Sequence, residues 1–173
     1  DTGEPIFNEQ LSNLYRAGYT YNNAGMNFVV NRPNYNLTVG ATYQNSTLDG
    51  ELLLADTEIN QTLNNILPKL NYRYNFATGK NFTLDYSTNV VEPTVIQLQP
   101  FVDNSDPLNI YEGNPNLRPE FRQNVSMRFI SFNPATFRSL FSQLRIVYST
   151  NKIRNNQIFD ENGVRTTTPV NVR

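Results

Sequence analysis

The residues best suited to bind a ligand lie in one polar stretch, residues 100–120. Carboxylate oxygens are the ligands that Ca²⁺ prefers, and three acids lie close together here. The candidate ligand-contacting residues are Asp103, Asp106, Tyr111, Glu112 and Arg118. Four prolines interrupt the stretch, which therefore is typical of a long loop, and such loops are usually functional or disordered. A solvated surface loop is the simpler interpretation of its acids.

The composition excludes most catalytic chemistry. The chain has 173 residues with no Cys and no His, so Cys nucleophiles, thiolate metal sites and Ser-His-Asp triads are absent. No apolar pocket is apparent that would shift the pKa of a carboxylate pair such as Asp103 and Glu112. We therefore predict that the protein is not an enzyme and uses no metal or cofactor. A net charge of −1 offers no attraction for nucleic acid.

Alternating apolar and polar residues predict an all-β chain. In the run from Asn34 to Asn45, apolar side chains occupy every second position. Strands are predicted near residues 9–31, 34–47, 66–77, 80–91, 120–132 and 137–157, with long loops at 48–63 and 93–119. The tail from Arg165 has the pattern of a further strand. No apolar run approaches the length of a membrane helix.

Three segments need a more specific interpretation. The alternation changes phase at Asn22–Gly25, which predicts a β-bulge, with a four-residue hairpin turn as the alternative. A short helix is the less favoured alternative within 46–61, because apolar residues there recur at helical spacing among many Asn. Pro93 is expected to open one helical turn that reaches Leu98.

The connections between the strands alternate in length. Residues 31–34, 77–80 and 133–136 are short turns, whereas the connections between them are long and polar. In an up-and-down antiparallel meander the short turns then share one end, which is typical of a partial outer-membrane β-barrel with short periplasmic turns and long extracellular loops. Candidate residues for the aromatic girdles are Tyr35, Tyr43, Phe76, Phe82 and Phe121. A soluble sandwich or lipocalin-like barrel is the alternative fold.

The polar strand face carries charged residues that would line the lumen of such a barrel. They are Arg73, Asp85, Arg122, Arg128 and Arg145. In a soluble protein the same residues would form a solvated sheet face.

The run Gly113-Asn114-Pro115-Asn116-Leu117-Arg118-Pro119-Glu120 resembles a motif of TonB-dependent receptors, and of the Bacteroidetes-type outer-membrane β-barrel proteins in particular. The preceding segment, Val91 to Leu108, resembles the same family. The motif positions are Gly113, Asn114, Pro115, Leu117, Pro119 and Glu120. The resemblance implies a barrel of about twenty-two strands in the outer membrane of a Gram-negative bacterium. It further implies contact with membrane lipid, a plug domain, TonB, import of a bulky nutrient such as a siderophore or glycan, and an extracellular position for the motif.

Six full strands are fewer than the eight of the smallest barrels, and no plug or energy-coupling box is recognisable. We therefore expect residues 1–173 to be a single segment from the middle or later part of a barrel. Its open sheet edges predict self-association. A soluble all-β module that binds glycan or protein, or serves in adhesion, is the alternative function.

Overall fold

The computed structural model describes residues 15–52, 57–99, 102–103 and 106–172. Six long strands form one antiparallel meander in the order β1-β2-β3-β4-β7-β8. They are β1 (Tyr15–Asn31), β2 (Tyr35–Leu52), β3 (Thr57–Ala77), β4 (Lys80–Val91), β7 (Glu120–Asn133) and β8 (Arg138–Thr150). The all-β antiparallel meander predicted from the alternation is confirmed. In this sheet β1 and β8 do not pair with each other, so the described strands form an open wall.

The register of the strands gathers the apolar side chains on one face, because residues directly opposite each other in neighbouring strands share a face. This apolar face includes Met26, Phe28, Leu37, Val39, Ile66, Leu70, Phe82, Leu84, Val125, Met127, Leu144 and Ile146. The opposite, polar face includes Asn27, Thr38, Lys69, Asn71, Arg73, Asp85, Ser87, Arg122, Asn124, Arg128 and Arg145.

The β-bulge predicted in β1 is wrong, and so is the alternative hairpin turn. The register with β2 runs without a break from Tyr15↔Leu52 to Asn31↔Asn36. The phase change has a different physical cause, since the two faces exchange polarity along the strand. Tyr19 and Tyr21 lie on the side of the polar face, whereas Met26 lies on the apolar face.

The long loop predicted at 48–63 is also wrong for its described residues. β2 continues to Leu52 and β3 begins at Thr57, with pairs such as Asp49↔Asn60 joining them. The described part of 46–61 is therefore strand and not helix. Asn and Thr are tolerated here because the ladder between two strands satisfies the backbone regardless of side-chain propensity. Residues 53–56 lie outside the described part.

The three short turns share one end of the sheet, the tight-turn end. Gly79 has φ of 76°, and Phe137 has φ of 52°. Asn133 accepts hydrogen bonds from the backbone N–H of Ala135 (2.9 Å) and Thr136 (3.3 Å). A register shift does occur at this end, between Asn75 and Ala77 of β3, where a bulge lets the chain close its turn.

A second, four-stranded sheet lies at the opposite end, in the order β5-β6-β10-β9. Its elements are β5 (Val102–Asp103), β6 (Asn109–Glu112), β9 (Lys152–Phe159) and β10 (Arg165–Val172), and β6 pairs with β10 in parallel. The single strand predicted at 137–157 is wrong, because Asn151 with φ of 55° breaks it into β8 and β9. The strand expected in the tail is β10.

Helix α1 (Val95–Leu98) precedes this sheet. The helical turn was predicted, but its start was misplaced. Thr94 is the N-cap, and it exchanges capping hydrogen bonds with Gln97, so Pro93 lies just before the helix. The predicted loop 93–119 is thus partly ordered into α1, β5 and β6.

Candidate functional site

The second sheet, α1 and residues 112–119 form a cap on the large sheet. Leu48 of β2, Leu98 of α1 and Leu117 are each only 1% exposed and pack together. The half-buried side chains of Tyr19, Val95 and Ile153 surround them. Leu48 pairs with Tyr19 on the polar-face side of the sheet. The cap therefore covers the polar-face side at the end opposite the tight turns.

Two side-chain hydrogen bonds tie the cap to the strands beneath it. The Tyr19 hydroxyl donates to the carbonyl of Pro93 at 2.9 Å, and the Gln61 side chain donates to the carbonyl of Leu117 at 3.5 Å. The contact between the cap and the large sheet explains why apolar and polar residues change faces along β1 to β3. Where the cap lies on the polar-face side, Tyr19 and Leu48 replace polar residues there.

Gly113 is required by a close approach of two backbone segments. A Cβ at this position would lie 2.1 Å from the carbonyl oxygen of Gln99, which is far below any real contact. The neighbouring atom is backbone and cannot rotate away. Its φ is not in the left-handed region, so the turn requires glycine for space rather than for conformation.

Asn114 joins three parts of the cap. Its backbone N–H donates to the carbonyl of Gln97 at 2.7 Å, and its side-chain oxygen accepts from the N–H of Asn116 at 3.0 Å. Its side-chain nitrogen donates to the carbonyl of Pro169 in β10 at 3.1 Å. Asparagine is suited to this position because one side chain supplies both a donor and an acceptor.

The remaining motif residues lead the chain into β7. Leu117 is buried, Pro119 is half-buried and Pro115 is exposed. Glu120 is 5% exposed and forms an ion pair with Arg122 at 2.9 Å. A buried carboxylate needs such a partner, because burial without one is costly. In this structure the motif holds the cap in place.

Asn171 of β10 is a structural residue that no motif or pattern in the sequence indicated. Its side chain accepts from the N–H of Arg118 and donates to the carbonyl of Arg118, both at 2.8 Å. It also donates to the carbonyl of Asn151 at 2.8 Å. One amide thus joins the motif loop, β10 and the break between β8 and β9, a contact that exists only in the folded chain.

The structure brings two of the candidate ligand residues, Asp103 and Tyr111, side by side and places the others around them at the loop end. Asp103 lies opposite Tyr111 in the β5–β6 pair, and Glu112 is exposed opposite Val102. Arg118 has an exposed side chain, whereas its backbone is held by the cap. Among the described residues no three carboxylates are grouped as metal ligands.

Asp106 shapes its own turn. Its carboxylate accepts from the N–H of Leu108 at 3.0 Å and from the side chain of Asn109 at 2.6 Å. The bond from Asn109 is the main reason that the pKa of Asp106 lies below its ordinary value. Burial raises the pKa of the half-buried Tyr111 hydroxyl, so that group stays protonated at neutral pH.

The polar face bears an excess of positive charge. Five basic side chains lie on it, against the acids Asp85 and Glu120 in the same strands: Lys69, Arg73, Arg122, Arg128 and Arg145. A shallow cavity of about 450 Å³ opens among Thr38, Lys69, Asn71, Asp85 and Ser87. The arrangement suits contact with water and with hydrophilic, anionic groups.

A family model for the outer membrane protein beta-barrel family matches residues 1–173. The chain belongs to this family. The match shows an outer-membrane location in Gram-negative bacteria. Because such barrels are apolar outside and polar inside, the apolar face of the sheet meets lipid and the polar face meets the barrel interior. A comparison with curated proteins gave no match. Among the described residues no helix is long and apolar enough to cross a membrane.

The apolar face of this outer-membrane barrel segment has the height that a bilayer requires. On β3 it extends from Ile66 to Phe76, which is about 34 Å along a strand and about 26 Å after a tilt of about 40°. The lipid-facing band of such barrels is about 25 Å tall. Large side chains on it are open to the surroundings, with Met26 82% and Ile66 67% exposed.

An aromatic belt forms the part of this band that is nearest the tight turns. Ring centroids are 6.3 Å apart for Tyr35 and Tyr72, 6.4 Å for Tyr72 and Tyr74, and 4.7 Å for Tyr74 and Phe76. Of the predicted girdle residues, Tyr35, Phe76 and Phe82 lie at this end. Tyr43 and Phe121 lie nearer the loop end of the apolar face. Tyr43 is eight residues from Tyr35 on β2, and Phe121 is eight residues from Phe129 on β7.

Proposed function

We propose that this segment forms part of the wall of a TonB-dependent receptor that imports a bulky nutrient, such as a siderophore or a glycan. The observation that carries the proposal is the cap on the interior face at the loop end. A barrel mouth narrowed by an ordered cap suits ligand-selective, gated import better than free diffusion. The motif from Gly113 to Glu120, which resembles that of these receptors, supports the same class.

The proposal includes the partners of such a receptor. A plug domain would contact the polar face, and TonB would supply energy through the plug. The exposed edges of β1 and β8 would pair with further strands, from the same polypeptide or from a second copy, because open edges readily add strands. We also propose that the segment has no catalytic role, since His and Cys are absent.

The candidate contact residues at the loop end are Asp103, Tyr111, Glu112 and Arg118, while Asp106 has the structural role described above. Glu112 and Arg118 have exposed side chains on the backbone that the cap fixes. A ligand held there would lie above the interior. The soluble binding or adhesive module is not favoured, because the family is a membrane family and the apolar face is exposed.

Uptake measurements test the proposal. A strain that lacks the protein is compared with the same strain carrying the gene again, both with and without TonB. The quantity measured is the accumulation of labelled ferric siderophores and oligosaccharides. We expect one ligand class to require both proteins. Uptake that needs this protein but continues without TonB would instead indicate a passive channel.

A further inference from the structure

The tight-turn end is basic, and the opposite end is acidic. Each tight turn carries one basic residue, namely Arg32, Lys80 or Arg138, and residues 31–35, 77–81 and 132–138 contain no Asp or Glu. The acids of the described loops lie at the other end, in the cap and around Asp160. The tight turns of an outer-membrane barrel face the periplasm, so the basic end meets the periplasmic leaflet.

Lys80 shows how these cations meet the membrane surface. Its ammonium lies 5.5 Å from the ring centroid of Phe76 and 5.9 Å from that of Phe129, and all three side chains are on the lipid side of the sheet. A lysine in this position rests its stem on the aromatic belt and directs its charge to the headgroups. The contact of Lys80 with Phe76, at the tight-turn end of the belt, therefore marks the depth of the lipid phosphates.

A groove at the first tight turn lies at the same depth. It has a volume of about 410 Å³ and is lined by Arg32, Pro33, Asn34, Tyr35 and Tyr74. Tyr35 and Tyr74 are directly paired on the apolar face, so the groove opens toward lipid. Arg32 is exposed, and in the described part of the chain no acidic side chain pairs with it.

We propose that this groove binds the phosphate of a phospholipid headgroup in the periplasmic leaflet. The Arg32 guanidinium can donate two parallel hydrogen bonds to phosphate oxygens. The Tyr35 and Tyr74 rings form the wall against which the glycerol and upper acyl chain lie, as aromatic side chains at this depth commonly do. Lys80, in the neighbouring tight turn, adds positive charge that favours an anionic headgroup such as phosphatidylglycerol.

Native mass spectrometry of the full-length polypeptide in mild detergent tests the proposal, with added phosphatidylglycerol as the probe. We expect Arg32→Gln to weaken phosphatidylglycerol binding about tenfold, because a charged hydrogen-bonding partner is lost. Arg32→Lys should give an intermediate value, since it keeps the charge and loses the planar fork. Arg154→Gln, an exposed arginine of β9 far from the groove, should bind like the wild type.

Three results would overturn it. Equal binding by Arg32→Gln and Arg154→Gln would remove Arg32 from the site. Equal retention of diacylglycerol, which has no phosphate, would reduce the groove to an apolar contact. Displacement of the lipid by excess inorganic phosphate would make it a site for a small anion. Because Arg32 lies exposed in a turn, the variants should fold, and the heat-dependent shift in gel mobility of the barrel checks this.

Discussion

Leu117→Ala is expected to release the cap while leaving the barrel wall intact. The side chain is 1% exposed and packs against Leu48 and Leu98. Leu→Ala in a core costs about 2–5 kcal/mol, with the cost rising with the cavity left behind. Among the described residues this cluster has three fully buried members and half-buried neighbours, so it can partly collapse. We therefore expect about 2–3 kcal/mol, in the lower part of that range.

Amide hydrogen exchange measures this loss locally. The N–H of Asn114, which bonds to the carbonyl of Gln97 at 2.7 Å, reports on opening of the cap. A loss of about 2–3 kcal/mol should raise its exchange rate roughly 30- to 140-fold. The amides in the middle of β3 should not change. Leu108→Ala is the matched control, since Leu108 belongs to the same loop and is 60% exposed. Equal exchange at Asn114 in both variants would refute the assignment of Leu117 as the residue that holds the cap.

Three further substitutions test separate parts of the structure. Gly113→Ala should open the cap at least as much as Leu117→Ala, because the new Cβ would lie 2.1 Å from a backbone carbonyl oxygen. Gly18→Ala is the control, since a Cβ there meets nothing within 4 Å. Limited proteolysis of the cap compares the two variants. Asn171→Ala removes three hydrogen bonds of 2.8 Å and should cost about 1–3 kcal/mol. We expect faster amide hydrogen exchange at the start of β7, and unchanged exchange there would contradict the role of Asn171. Leu84→Arg changes a lipid-facing residue opposite Tyr72, near the middle of the apolar band. It should cost about 2–4 kcal/mol and lower the yield of assembled barrel, whereas Ser87→Arg on the interior face of the same strand should not. Equal yields would mean that the faces are assigned wrongly.

The alternation of residue types was enough to predict most of the large sheet. Its period of two places side chains on opposite faces whatever the neighbours are, so β4 and β7 were predicted almost to their ends. The motif from Gly113 to Glu120 was also visible as turn chemistry, since its Pro and Gly residues exclude regular structure. An outer-membrane barrel could be suggested from these residues alone, and the family match shows that the chain belongs to an outer-membrane β-barrel family.

The extra length of β2 and β3 was not predictable from composition. Residues 57–64 are rich in Asn and Thr and carry apolar residues at helical spacing. They form strand because an adjacent strand supplies hydrogen bonds, which outweigh weak local preferences. The false bulge at Asn22–Gly25 has a different cause. The cap covers the polar-face side of β1 around Tyr19, so apolar side chains change to that face there while the pairing with β2 continues.

The sequence by itself determined the two-faced wall and the end that carries the tight turns, because both follow from local periodicity and turn chemistry. Only the tertiary structure decided the role of the polar loop. It folds inward over the interior face, where Leu117 meets Leu48 and where Asn171 bonds to the backbone of Arg118. These contacts join residues more than 50 positions apart, and no local pattern encodes such distances. The acids that first suggested a ligand site lie on β5, in the turn after it and on β6. The path of the folded backbone, and not their spacing in the chain, decides which of their side chains meet.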